Sequence, residues 1–274
     1  SSPLTTRSAE RSPISMLAPW RFRSLPTAWT RGAAGVLIAF VVVELLTRAE
    51  FVNPAYVPPA SSVVAEAVGL LADDEFWDAL TATLWAAGYG LARAILIAVP
   101  LGLLLGLSRW AYRAAITVVE LLRPIPSVAL IPLAILLYGT GTSMKAFLVT
   151  YACLWPILFN TIYGVHDVER VGVDTARVFG LGRFKRAARV NLPAASPFIY
   201  TGIKIAVSVA LILAIGAEIV AGGSSGLGIE MGEARALGDL QLSYAYVTIT
   251  GIIGLVLYIV MEAIERRLFR WRSV

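Results

Sequence analysis

Apolar residues gather in long runs at about 32–46, 79–107, 114–138, 144–163, 197–221 and 244–264, separated by shorter stretches rich in charge, Gly or Pro. A helix rises about 1.5 Å per residue, so roughly 20 residues cross a hydrocarbon layer of about 30 Å. The runs therefore predict six spanning helices and an all-α integral membrane fold. The first run, Gly32 to Leu46, is the shortest and carries Glu44 near its end, which leaves a cleaved signal as its other reading. In the polar stretch from Asn53 to Asp78, Val63, Ala67, Leu70 and Leu71 recur at helical spacing. That pattern predicts a short amphipathic helix lying on one membrane face.

Composition agrees with lipid as the solvent: 58% of the 274 residues are hydrophobic and 15% charged, where soluble domains carry about 25% charge. The net charge of +5 does not point to nucleic acid, because the basic residues sit at the ends of the apolar runs, without a basic stretch interleaved with aromatics. The lone Cys153 lies in an apolar run and reads as a small buried hydrophobe. Residues 1–31 hold Ser, Pro and five arginines without apolar periodicity, so they read as a mobile or surface-lying arm preceding a permease domain at 32–274, with its core at 80–268.

Charge also orients the chain, since Lys and Arg are retained on the cytoplasmic side of short loops. Seventeen fall on one side: Arg7, Arg11, Arg21, Arg23 and Arg31 in the arm, Arg109 and Arg113, six in the loop 164–195, and Arg266, Arg267, Arg270 and Arg272 in the tail. Arg48 and Arg235 are the two on the other. Both termini are expected in the cytoplasm, and the opposite face carries acids such as Asp73, Asp74, Glu75, Glu230 and Glu233.

The loop 164–195 is the most informative stretch. Val168, Val171, Thr175, Val178 and Phe179 repeat at three and four residues, which predicts a helix ended by Gly180 in a left-handed conformation. A second helix is expected from there to Pro193. Joined by Gly180-Leu181-Gly182 and tipped with Phe179, Leu181 and Phe184, the pair makes an apolar and basic knob. On its own such a knob is either a docking element or a charged loop touching lipid headgroups.

Here the sequence resembles the binding-protein-dependent permeases of bacterial ABC importers, whose cytoplasmic loop reads Glu-Ala-Ala, Gly four positions on, then a hydrophobic residue and Leu-Pro. Asp174, Thr175, Ala176, Gly180, Val190, Leu192 and Pro193 stand in those places. Asp174 and Thr175 depart from the pattern, Asp174 keeping the charge on a shorter stem. Arg123-Pro124-Ile125-Pro126-Ser127, Asn160-Thr161 before Gly164-Val165, and Ala217-Glu218 leading to Ser224-Ser225-Gly226-Leu227-Gly228 are similar to the branch that imports nitrate, sulfonates and taurine.

The resemblance implies a type I ABC importer permease in the bacterial plasma membrane, a non-catalytic transport subunit. It implies a coupling helix formed by Asp174, Thr175, Ala176, Phe179, Gly180, Leu181, Gly182, Phe184 and Arg189, docking on two ATPase subunits that supply ATP and Mg. It implies a second permease chain, of the same sequence if the assembly closes symmetrically, and an extracytoplasmic solute-binding protein. No cofactor or metal is expected in this chain, which lacks a Gly-x-x-x-x-Gly-Lys-Ser/Thr phosphate loop. A secondary transporter and an integral membrane transferase are the alternatives.

Ionisable residues inside spans are costly and face protein or water. Arg93, Glu120, Arg123, Lys145, Lys204 and Glu218 are of this kind, and Arg123, Glu120, Glu218 and Lys204 are the candidates for the solute pathway. Glu120, Lys145 and Glu218 lie near span ends and have snorkelling as an alternative. Arg123 precedes two helix-bending prolines and is placed either to meet an anionic solute or to pair with Glu120. Gly102 with Gly106, and Gly88 with Gly90, are expected to let helices approach closely. Gly222 to Gly228 should form an outer loop or gate where a binding protein docks.

Overall fold

A computed structural model describes residues 25–53, 56–168 and 170–270. Among these residues every regular element is helical: α1 Leu25–Arg48, α2 Ala60–Leu70, α3 Asp74–Leu107, α4 Arg109–Leu122, α5 Ile131–Tyr138, α6 Thr142–His166, α7 Arg170–Val178, α8 Arg183–Arg186, α9 Leu192–Ala221, α10 Leu227–Ala236 and α11 Leu240–Leu268. Five are long and apolar enough to cross a membrane, with α8 and α9 running as one from Arg183 to Ala221, or six if α4 and α5 together make one crossing.

The centre of the bundle is α3, α6 and α9, which pack on one another along their length. Lipid tails are as apolar as leucine, so helices in a membrane associate through close packing and not through escape from water. The sequence supplies small residues for this. Ala86, Ala94 and Ala98 of α3, Cys153 of α6, and Ala206, Ala214 and Ala217 of α9 are fully buried. Gly90, Gly102 and Gly106 of α3 lie against Val149, Thr161 and Val165 of α6 so closely that a Cβ would come within 2.6–2.7 Å of them. Gly88 faces open space and plays no such part. Helix α11 packs on α10, α2 and α9, and α1 touches α2. Most of α1 and α11 is exposed.

Several expectations are revised. The first helix begins at Leu25, so the arm can extend no further than residue 24, and residues 1–24 lie outside those described. Glu44 does not interrupt α1. Its carboxylate accepts Arg48 Nε at 2.6 Å, Ser61 N at 2.9 Å and Ser61 Oγ at 2.8 Å, tying the end of α1 to the first turn of α2. The amphipathic helix forms with Val63, Ala67 and Leu70 buried, but Leu71 is its exposed cap. The run 114–138 is not one continuous span: α4 ends at Leu122, and the helical segment 127–138 leaves it at 80°. Arg123 keeps helical backbone angles, and the break follows it, where Pro124 and Pro126 each lack the N–H that would continue the helix. The second helix of the basic loop does not stop at Pro193. It passes through a π-turn at Ala187–Asn191 into α9, with Pro193 just after that irregular turn.

Candidate functional site

Two arrangements are candidates for functional chemistry, one at each end of the bundle. At the basic end, α7 closes on a Schellman turn. Leu181 N donates to Ala176 O at 3.0 Å and Gly180 N to Arg177 O at 3.0 Å, with Gly180 at φ +73°. Only glycine takes that conformation without strain. The turn buries Ala176 and leaves Val178, Phe179 and Phe184 with 86%, 78% and 93% of their surface exposed. Leu181 is half-buried and Gly182 and Arg189 are exposed. Asp174 pairs with Arg177 at 3.0 Å on the exposed face, and Thr175 Oγ1 donates to Val171 O at 2.8 Å. The residues of the motif therefore lie along α7, its closing turn and the start of the next helix, with exposed apolar side chains beside exposed basic ones.

At the opposite end, a buried ion pair gathers three helices and a loop. Lys145 on α6 donates to Glu218 on α9 at 2.7 Å, with 5% and 0% of the two side chains exposed. Thr83 Oγ1 on α3 lies 3.0 Å from both carboxylate oxygens and accepts Leu227 N at 2.9 Å. Gly228 N donates to Glu218 at 2.9 Å, and Lys145 donates to Ser225 O at 3.1 Å. The segment Gly222–Gly228 is thus pinned to the spans. Gly226, at φ +155°, comes so close that a Cβ would fall 2.4 Å from the Glu218 carboxylate. Snorkelling of Lys145 and Glu218 is overturned: both point inward because each is the other's counter-charge. Sequence reasoning singled out the two residues and the glycine-rich segment separately. Their shared identity as one network had no local signal, since Lys145 and Glu218 are 73 positions apart.

The remaining intramembrane charges divide by partner. Lys204 on α9 is held by Glu262 and, at 2.8 Å, by Glu265 of α11, and lies over the Tyr258 ring. Arg123 makes no pair with Glu120. Its guanidinium carbon sits 4.7 Å from the centre of the Phe159 ring on α6, and Tyr151 Oη donates to Leu122 O at 2.6 Å just before it. Arg93 lies over Tyr89 at 5.7 Å. Beyond the spans, half-buried Glu230 of α10 is held above the ordinary carboxylate range, first by burial and then by Glu75, Glu233 and Asp73.

A bundle of close-packed helices long and apolar enough to cross a membrane, with a buried ion pair near one end and an exposed apolar knob at the other, defines a multi-pass membrane protein. The chain belongs to the binding-protein-dependent transport system inner membrane component family, whose model matches residues 98–271; it is a multi-pass permease of an ABC importer. It is 29% identical over 259 residues to the taurine transport system permease protein TauC of Escherichia coli K12, covering 93% of this chain and 94% of that one. It is 30% identical over 279 residues to the nitrate import permease protein NrtB of Leptolyngbya laminosa, covering 95% of each. Its fold is similar to that in the inward-facing structure of the MetNI methionine ABC transporter, with a TM-score of 0.60 at 19% identity over 72% of this chain and 95% of the other. The fold is the type I importer permease fold.

Proposed function

We propose that this chain forms the translocation pathway for a small anionic or polar solute and takes its power from a separate ATPase through the α7–α8 knob. The observation that carries this reading is the exposure of Val178, Phe179 and Phe184 on a corner made rigid by the Schellman turn. Apolar side chains left this exposed on a short helix pair rich in charge are the kind of surface that docks on another protein. The names of the relatives favour sulfonate or nitrate chemistry for the solute. In this reading two ATPase subunits, each holding ATP and Mg, grip two copies of the permease, and an extracytoplasmic binding protein delivers solute at the acidic end. Nucleotide binding draws the knobs together and biases a two-state rearrangement of the spans. The basic end, with both termini, faces the cytoplasm.

Among the pathway candidates, Lys204 and Glu218 already have opposite charges bound, whereas Arg123 has an aromatic face and, among the described residues, no carboxylate. Arg123 is therefore the residue best suited to meet an anion, through the planar fork of its guanidinium.

The test is co-purification with the ATPase expressed alongside. The ATPase should follow the native chain and be lost from a variant carrying Gly180→Arg, Leu181→Asp and Phe184→Asp. Equal recovery on both would remove the knob from the docking role.

A further inference from the structure

At the basic end, the turn from α3 into α4 and the last turn of α6 enclose an open cavity of about 440 Å³ lined by Arg109, Tyr112, Arg113 and His166. Arg109 and Arg113 stand one turn apart on α4, so two like charges share a helix face, an arrangement that is unfavourable by itself. Among the described residues no carboxylate offsets it: the ion pairs formed all involve other side chains. Asp167 follows His166 in the chain but does not line the cavity. The His166 ring meets Tyr112 edge-on, with centroids 5.9 Å apart, so the end of α6 touches the first turn of α4 beside the arginines.

Depth narrows the chemistry. Helix α3 ends at Leu107, two residues before Arg109. Trp110, 81% exposed on the same turn, is the kind of side chain that sits at headgroup level. A cationic cavity there opens onto the headgroup layer, in the leaflet that the orientation proposed above makes cytoplasmic. Basic pockets between membrane helices on that side suit anionic headgroups.

We infer that this cavity binds the phosphate of an anionic phospholipid. The two guanidiniums take the phosphate oxygens, and the Tyr112 hydroxyl and the His166 ring add donors. The shared anion converts the repulsion within α4 into a joint attraction. Because α6 ends at His166 and α7 begins at Arg170, a lipid held here braces the root of the knob.

The experiment uses the full chain in nanodiscs of phosphatidylglycerol diluted in phosphatidylcholine, with the phosphatidylglycerol retained after release counted by native mass spectrometry. Loss of two arginines near a charged surface should lower retention roughly thirtyfold in Arg109→Gln/Arg113→Gln. An equal charge loss in Arg266→Gln/Arg267→Gln should leave retention nearly unchanged. Tyr112→Phe/His166→Phe, which keeps both arginines and the ring contact, should lower it several-fold, and so tests the site even if the arginine variant folds poorly. Equal loss in the control pair, no loss at the cavity, or displacement of the lipid by inorganic phosphate would each overturn the assignment. Both faces of a nanodisc meet the same lipid, so an error in the proposed orientation would leave this result intact and would show instead in a reporter fused to the C-terminus.

Discussion

A carboxylate and an ammonium taken out of water cost several kcal/mol each unless matched in charge and hydrogen bonding. Glu218 meets that requirement with three donors, Lys145 Nζ, Thr83 Oγ1 and Gly228 N. Removing one partner strands the other, so Lys145→Met should destabilise the protein by about 3–5 kcal/mol, seen as a large fall in the thermal midpoint in detergent. Restoring neutrality with Lys145→Met/Glu218→Gln should recover much of that loss. A double variant as unstable as the single would show that charge matching is not what holds the site. Charge type and position inside a span were legible here and marked both residues as significant. Which charge meets which depends on the packing of α6 against α9, and no local pattern encodes that. The same limit applies to Arg123: its place after Leu122 was readable, but its stacking on Phe159 rests on how the end of α4 lies against α6.

Helix positions were readable to within a turn or so at most ends, because burial in lipid forces long apolar runs and polar punctuation. The exception is the third run. Apolar residues continue on both sides of Arg123–Pro126, so hydropathy reads one span where the two prolines impose an 80° bend. The contact of Gly102 and Gly106 was legible from their four-residue spacing, but only the packed structure separates Gly90, against Val149, from Gly88 in open space. The α6–α9 seam provides a test at this scale. A Cβ on Gly164 would lie 2.7 Å from Phe198 Cβ and 3.0 Å from Ala195 O, whereas one on Gly216 meets nothing within 4 Å. Gly164→Ala should therefore cost about 1–3 kcal/mol through overpacking. Gly216→Ala should be neutral or stabilising by about 1 kcal/mol through helix propensity. The two thermal midpoints, measured side by side, check the seam. Equal shifts would contradict the close approach of α6 and α9.

For the whole molecule, the two ends differ in kind: one has acids and a pinned glycine-rich segment, the other bases and a free knob. The long α8–α9 helix links them, running from the knob at Arg183 to Glu218 and the loop beyond it. In the proposed function, this continuous helix is the route by which a pull on the knob would reach the pinned segment. Little of α1 or α11 is buried within the chain, which leaves broad apolar faces for lipid and for the second permease copy of the proposed assembly. The most direct measurement is accumulation of a labelled sulfonate by proteoliposomes containing this chain, its ATPase and its binding protein. Accumulation should require ATP inside the proteoliposomes and should vanish with Gly180→Arg, Leu181→Asp and Phe184→Asp. Accumulation by the chain alone, driven by an ion gradient without the ATPase, would contradict the account.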